Sequence, residues 1–231
     1  METLKKLLSD TGNEDLQVWF QTIANELMCN HVIQKGERQY AIVEIEFYYY
    51  SPEHRDVITY PRQMEAGRWF FHQSGVDLTF DSFDIKFQDG KFELGKNARF
   101  GGLLIRGLHK LDNGKYIFGP QRCVNELWDN FDAFGTTAEM EYPVLKKHKA
   151  VASPSLRACK RHIAIKKEVQ PVKKVEEWAG RLGLGLSDIG TYEDDLFNNP
   201  EKYLYRYFNL PEYSSSILNK IPSNARPKDL K

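Results

Sequence analysis

The sequence predicts an α+β fold, a single mostly antiparallel, curved β body with helices at both ends. Between residues 37 and 120, segments rich in β-branched and aromatic residues follow one another without helical patterns between them. Such a succession is typical of antiparallel pairing. Apolar residues at helical spacing flank this region on both sides, so we expect helices there.

The first predicted element is a helix that begins at Asn13, because an Asn cap followed by acids favours a helix start. Its apolar face extends to about Asn30. Strands are predicted over 40–50, 69–73, 76–80, 85–94, 102–109 and 116–118. Residues 85–94 form a predicted hairpin, because Asp89 and Gly90 suit a turn with positive φ angles.

After Pro143 the character of the chain changes, so we predict two parts. Residues 1–143 form the β-rich body with its N-terminal helix, and 144–231 form a helical extension packed on it. The extension is basic from Lys146 to Lys174, with ten Lys or Arg and one acid, and acidic from Glu176 to Glu201. Helices are predicted over 120–131, 172–182 and 200–208, and a loose tail from residue 221.

Composition excludes several classes of protein. The chain has 231 residues, of which 41% are hydrophobic and 28% charged, which does not fit a fibrous or wholly disordered protein. No apolar run reaches the roughly 20 residues of a membrane-spanning helix, and the N-terminus lacks the apolar core of a signal peptide. We therefore expect a soluble, cytoplasmic protein without membrane contact.

Cysteines and overall charge restrict the chemistry further. Cys29, Cys123 and Cys159 are widely spaced and form no C-x-x-C pair, so we expect neither a disulfide framework nor a metal site, and no cofactor. The formal net charge is zero, which argues against a protein coated in nucleic acid. The basic segment could still form one local positive surface, or two solvated faces of opposite charge could result.

Glu44 and Glu46 are the most informative acids. They lie two apart on a predicted strand, so both side chains point to one face. Either both face solvent at a sheet edge, or one is buried as a general base or metal ligand with a shifted pKa. Tyr48 shares this face, where an aromatic ring could stack on a nucleobase or simply pack in the sheet.

Arginine and histidine side chains of the predicted β body are further candidates. Arg106 is the single charge in an apolar strand, so it needs a partner, such as Glu44 or Asp77, or else an anionic ligand. His54 and His72 could be buried hydrogen-bonding residues or catalysts.

Three segments in order resemble the alkyladenine (3-methyladenine) DNA glycosylase family. Residues 42–54 contain Ile-Val-Glu-Ile-Glu-Phe-Tyr and then Ser-Pro-Glu-His, similar to the family's Val-Glu-Thr-Glu-Ala-Tyr strand followed by a Pro and a His. Leu103–Leu108 resembles its Val-Leu-Leu-Arg-Ala-Leu strand, and Gly119–Leu127 its Gly-Pro helix start. The resemblance covers about residues 38–130.

The resemblance implies an alkyladenine-glycosylase-like fold and hydrolysis of the N-glycosidic bond of a flipped, damaged base. Glu46 would activate the attacking water, and Arg106 would lie close to it. Three side chains would stack on or hydrogen-bond the base: Tyr48, His54 and Phe71. The implied partner is DNA, with phosphate contacts from the basic segment, namely Lys146, Lys147, Lys149, Arg157, Lys160 and Arg161.

Two alternatives stay open. Ser74 stands where the family has an intercalating Tyr, and Asp81 where it has an Asn near the pocket. Together with the zero net charge, these favour a non-catalytic nucleic-acid-binding or interaction module. A magnesium-dependent nuclease would instead use acids and a lysine, here Glu46, Asp77, Asp84 and Lys86.

Overall fold

The computed structural model describes residues 2–12, 15–129, 134, 140–148, 156–161, 171–189 and 204–227. Over these residues the protein is an α+β fold with a curled antiparallel sheet and a few helices. The helices are α1 (Glu2–Ser9), α2 (Leu16–Asn30), α3 (Pro120–Leu127), α4 (Pro171–Gly180), α5 (Leu186–Ile189) and α6 (Ser215–Leu218), with a 3₁₀ turn at Ser223–Ala225. None of these helices is long and apolar enough to cross a membrane.

Ten strands occur in the described part of the chain. They are β1 (His31–Lys35), β2 (Arg38–Tyr50), β3 (Trp69–His72), β4 (Gly75–Thr79), β5 (Phe83–Gln88), β6 (Lys91–Lys110), β7 (Tyr116–Phe118), β8 (Val144–Lys147), β9 (Leu156–Cys159) and β10 (Arg206–Asn209). The main order is β3-β4-β6-β2-β1-β8. Strands β5 and β7 also pair with β6, and β10 pairs with both β2 and β9.

Strand β2 is the centre of the sheet. Its β-branched and aromatic residues suit a pleated, buried surface, and the predicted strand over 40–50 is confirmed. One edge of β2 pairs with β6 as far as Tyr50 opposite Phe100. The other edge pairs first with β1 and then with β10, where Arg206 lies opposite Glu46. Strands on both edges of β2, namely β6 and β10, therefore bring residues close to its acids.

Helix α2 covers one face of the sheet. Its apolar face is buried as its spacing predicts, and the rings of Phe20 and Phe47 stack with centroids 4.4 Å apart. The predicted cap, Asn13, lies outside the described residues. Asp15 caps the helix instead, accepting a hydrogen bond from the Val18 backbone N–H at 3.1 Å.

The predicted hairpin is confirmed. Strands β5 and β6 pair directly around the turn, where Asp89 and Gly90 have φ angles of 52° and 77°. Two successive positive φ angles twist the turn in the sense that suits a two-residue hairpin. Strand β6 then continues through Leu103–Leu108, the segment that carries Arg106.

The predicted helix over 200–208 is wrong where the structure describes it. Arg206–Asn209 forms β10, which pairs with β2 and with β9. Tyr205 and Tyr207 are buried on the α2 side, where rings of that helix and of β2 meet them, and Arg206 and Phe208 alternate with them. Two flanking strands therefore outweigh a weak local helix preference. Residues 200–203 lie outside the described part.

Strands β8, β9 and β10 come from the predicted extension 144–231 but pair within the same sheet as the body. The tail predicted from residue 221 is also not loose at its start. Ile221 is buried, and the Arg226 guanidinium donates to the backbone carbonyls of Asn219 and Ile221, both at 3.2 Å. Residues 228–231 lie outside the described part.

Candidate functional site

Glu44 and Glu46 lie on the face of β2 opposite α2, and both are buried. Glu46 is 0% exposed, so the alternative in which both acids face solvent is wrong. Arg106 bridges them: its Nε donates to Glu44 Oε1 and its Nη1 to Glu46 Oε2, both at 2.8 Å. Glu44, named as a candidate partner of Arg106 from sequence, is confirmed as one of two.

Arg206 of β10 completes this buried charge cluster. Its Nε and Nη2 donate to Glu44 Oε1 at 2.9 and 2.6 Å, so two carboxylates meet two guanidinium groups. Burial by itself would lower the pKa of Arg106, but Glu46 and Glu44 outweigh it and raise that pKa. Arg106 therefore stays a cation beside Glu46 at any ordinary pH.

Tyr48 also forms a hydrogen bond with Glu46. Its hydroxyl donates to Glu46 Oε2 at 2.9 Å. Burial, and then the charge of Glu46, raise the pKa of Tyr48, so the hydroxyl remains a donor. The Arg161 guanidinium lies over the Tyr48 ring at 5.1 Å, which occupies one face of the ring.

A cavity of about 720 Å³ lies beside this cluster. Tyr48 and Arg106 contribute to its wall, whereas Glu46 lies behind them and does not line it. Most of the remaining wall comes from the segment before β3, from β3 and β4, from the start of α3, and from α4 and the 3₁₀ turn. The residues of interest are Tyr60, Arg62, His72, Ser74, Asp77, Trp178, Arg181 and Asn224. The cavity thus combines aromatic rings with several charged groups.

Asp77 forms a second buried ion pair in the cavity wall. Its Oδ2 lies 2.7 Å from Arg62 Nη1, and its Oδ1 lies 2.9 Å from His72 Nε2. Burial alone would raise the pKa of Asp77, but Arg62 and His72 outweigh it and hold that pKa below its usual value. The His72 Nδ1 accepts from the Ser74 backbone N–H at 3.2 Å, so His72 binds Asp77 through an Nε2 proton.

Sequence reasoning missed Arg62, although a signal was present. Gly101 and Gly102 lie side by side within a strand, a pattern that indicates close approach by another part of the chain. A Cβ atom on Gly102 would lie 3.1 Å from Arg62 Nη1 and 2.6 Å from the Leu78 carbonyl oxygen. The glycine therefore makes room first for the β4 backbone and then for the buried guanidinium.

His54 does not join this cavity. Its ring stacks on Tyr49 at 6.4 Å and meets the edge of Tyr205 at 5.6 Å. Tyr49 follows Tyr48 and so points to the opposite face of β2. The prediction that His54 shares a pocket with Tyr48 and Glu46 is therefore wrong.

Phe71 is likewise outside the cavity. It is 51% exposed, and its ring meets Trp128 edge-on at 4.7 Å. The next residue, His72, points to the other face of β3 and lines the cavity. Of the predicted site residues, the structure brings together Glu46, Tyr48 and Arg106.

The basic residues predicted to contact phosphates divide into two groups. Those that the structure exposes are Lys146, Lys147, Arg157 and Lys160, and none of them lines the cavity. Arg161 is only 7% exposed and its guanidinium pairs with Asp56, so its assignment to a phosphate-binding surface is wrong. Lys149 lies outside the described residues.

The acids of the nuclease alternative are not brought together. Asp84 is exposed on β5, and its Oδ2 accepts from the Asn97 backbone N–H at 2.8 Å. Asp77 is occupied by Arg62 and His72. Among the residues described, no three His, Cys, Asp or Glu side chains are placed to hold a metal ion.

Because His54 is buried, the unfolding free energy of the protein depends on pH. Burial lowers the pKa of His54 to about 4 from 6.5, so the unfolded chain binds a proton between these values that the folded chain does not. Neutral His54 therefore makes its full contribution to the unfolding free energy above pH 6.5, and this contribution is lost as the pH falls towards 4.

We expect the advantage of the wild type over a His54→Phe variant to shrink by about 2–3 kcal/mol between pH 7 and pH 4.5. Phenylalanine keeps a ring against Tyr49 but cannot take up a proton. Urea denaturation of both proteins at both pH values measures this, and the comparison cancels the carboxylates that also titrate. A difference that does not change with pH would contradict the assignment.

Comparison with known proteins gives little beyond this geometry. No protein-family model matches the chain. No solved structure matches it either. The chain is similar to a protein of Acanthamoeba polyphaga mimivirus described as uncharacterized protein L759, with 26% identity over 142 residues. The match covers 54% of this chain and 64% of that protein, so it spans less than two thirds of the relative.

Proposed function

We propose that the chain hydrolyses the N-glycosidic bond of a damaged nucleobase in DNA, as the alkyladenine glycosylase family that its sequence resembles does. One observation carries the proposal. The Glu46 carboxylate is held by the Tyr48 hydroxyl at 2.9 Å and by Arg106 at 2.8 Å, directly behind the wall that these two residues give the cavity. Glu46 can act as a general base on a water that enters between the Tyr48 and Arg106 side chains and reaches its carboxylate.

In this reaction Glu46 accepts a proton from the attacking water. The water oxygen bonds to the sugar C1′, and the electron pair of the broken bond leaves with the base, which takes up the proton released from the water. Arg106 holds the carboxylate in place and stabilises its charge. The rings that line the cavity offer stacking surfaces for a base that has left the helix, chiefly Tyr60 and Trp178.

The test is a screen of deaminated and alkylated bases in single-stranded, mismatched and fully paired DNA. We expect release of a free base that EDTA does not stop, with faster release from single-stranded or mismatched DNA, because those bases cost less to unstack. Ser74, which lines the cavity, is too small to fill the gap left by a flipped nucleotide. No release from any substrate would contradict the proposal, and release that EDTA stops would point to metal-dependent chemistry.

A second candidate is a binding module without catalysis. It is favoured because Tyr48 and Arg106 separate Glu46 from the cavity, and because Arg161 lies over the Tyr48 ring at 5.1 Å. This candidate is supported over the hydrolase if the protein binds nucleic acid or a nucleotide but releases no base from any substrate in the screen.

A further inference from the structure

We infer that this cavity recognises a phosphate attached to the nucleoside, and that Arg62, Arg106 and Arg181 bind it. The nucleoside part rests on the proposed function, whereas the phosphate part rests on the guanidinium groups. The phosphate could belong to a free mononucleotide or to a polynucleotide strand, and the experiment below separates the two.

Arg62 is a buried cation with unused hydrogen-bonding capacity. It is 1% exposed and lines the cavity. Its Nε donates to the Tyr60 carbonyl at 3.1 Å, and its guanidinium lies 4.1 Å from the centroid of the Phe70 ring. Nη1 is paired with Asp77 at 2.7 Å, whereas Nη2 has no hydrogen-bond partner among the described residues. Buried donors are almost always satisfied, so Nη2 is a donor that an acceptor in the cavity can use.

Arg106 and Arg181 present further donors to the same cavity. Arg106 uses its Nε and Nη1 for the two glutamates, and its Nη2 makes no hydrogen bond within the described part of the chain. The Arg181 guanidinium lies 4.8 Å from the centroid of the Tyr60 ring and forms no ion pair with any described residue. Three planar guanidinium groups around one space suit a tetrahedral oxyanion better than a neutral ligand.

The acidic side chains at the cavity neutralise only part of the positive charge of its basic side chains. Asp77 is engaged by Arg62 and His72, and Glu177 by Lys174 at 2.6 Å. Behind the wall, the two glutamates of the buried charge cluster are balanced by Arg106 and Arg206. Glu177 is thus shared by two cations, Lys174 and Arg181, and the excess positive charge favours an anion here.

Calorimetric titration of the full chain with the 5′-mononucleotides and their parent nucleosides tests this inference. Charge-assisted hydrogen bonds predict that at least one mononucleotide binds about tenfold or more tightly than its nucleoside at low salt. Arg62→Lys and Arg181→Gln should each reduce this ratio severalfold. Arg68→Gln is the matched control, because Arg68 is exposed, pairs with Glu65 and does not line the cavity, and it should leave the ratio unchanged.

A single-stranded oligonucleotide identifies the source of the phosphate. If it binds with the same dependence on Arg62 and Arg181 and mononucleotides do not compete, the phosphate is that of a strand. Competition by a mononucleotide identifies a free nucleotide. Should Arg62→Lys fail to fold, Arg181→Gln carries the test, because Arg181 forms no ion pair with the described residues that the change would break.

The inference is overturned if neither a mononucleotide nor the oligonucleotide binds more tightly than the nucleosides, or if that preference depends on neither Arg62 nor Arg181. Its failure differs from that of the proposed function. Phosphate-dependent binding without base release leaves the inference standing and removes the hydrolase. Base release with no preference for phosphate supports the hydrolase and removes the inference.

Discussion

A Glu46→Gln variant is expected to release base about a hundred- to ten-thousand-fold more slowly than the wild type while binding the same DNA with similar affinity. Glutamine keeps the size of glutamate, and its amide oxygen can still accept from Tyr48 and Arg106, but it cannot take a proton from water at neutral pH. Loss of general-base assistance typically has an effect of this size. Single-turnover rates of base release, on any substrate that the screen identifies, measure it.

Glu44→Gln is the matched control. Glu44 is on the same strand, is equally buried and shares Arg106 with Glu46, but Tyr48 donates to Glu46. Removing its charge perturbs the same cluster without removing the proposed proton acceptor, so we expect a rate within about tenfold of the wild type. Equal losses in both variants, with thermal unfolding unchanged, would assign the effect to the charge balance of the cluster instead.

Local patterns were sufficient for the part of the site on β2. Alternation along this strand places Glu46 and Tyr48 on one face, and the isolated charge of Arg106 in an apolar strand demanded a partner. Both expectations are confirmed, because strand periodicity and the cost of burying a lone charge act within a few residues of the chain or on one neighbouring strand.

The remaining site residues depended on information that local patterns do not hold. His54 follows a turn after Ser51, and a strand period says nothing about direction beyond a turn. Phe71 and His72 differ by one position, and a shift of one residue exchanges the two faces of a strand. The sequence argument chose Phe71, whereas His72 lines the cavity.

Arg206 shows why the C-terminal part was harder still. It lies 162 residues from Glu44 in the chain, so no spacing rule connects them. A segment of nine residues has only a weak helical preference, and pairing of 206–209 with β2 and β9 outweighs it. The partner of a buried acid was thus hidden in a segment with the wrong predicted structure.

An Arg206→Met variant is expected to lose about 3–5 kcal/mol of unfolding free energy, because removing one partner of a buried ion pair leaves a buried charge behind. Arg206 donates to Glu44 at 2.9 and 2.6 Å in a buried site. Without it, Glu44 would keep Arg106, which also binds Glu46, and would lose its other guanidinium partner. Urea denaturation at pH 7 measures the loss.

Two further variants separate lost charge pairing from lost packing. Arg68→Met removes an exposed pair with Glu65 and should cost about 0–1 kcal/mol. An Arg206→Met, Glu44→Met double variant should recover part of the loss, because removing both partners leaves Arg106 and Glu46 as a balanced pair. If Arg206→Met is no worse than Arg68→Met, the cluster does not need Arg206. If the double variant is the sum of its single variants, the packing of β10 on β2, and not the charge pairing, holds this strand in the sheet.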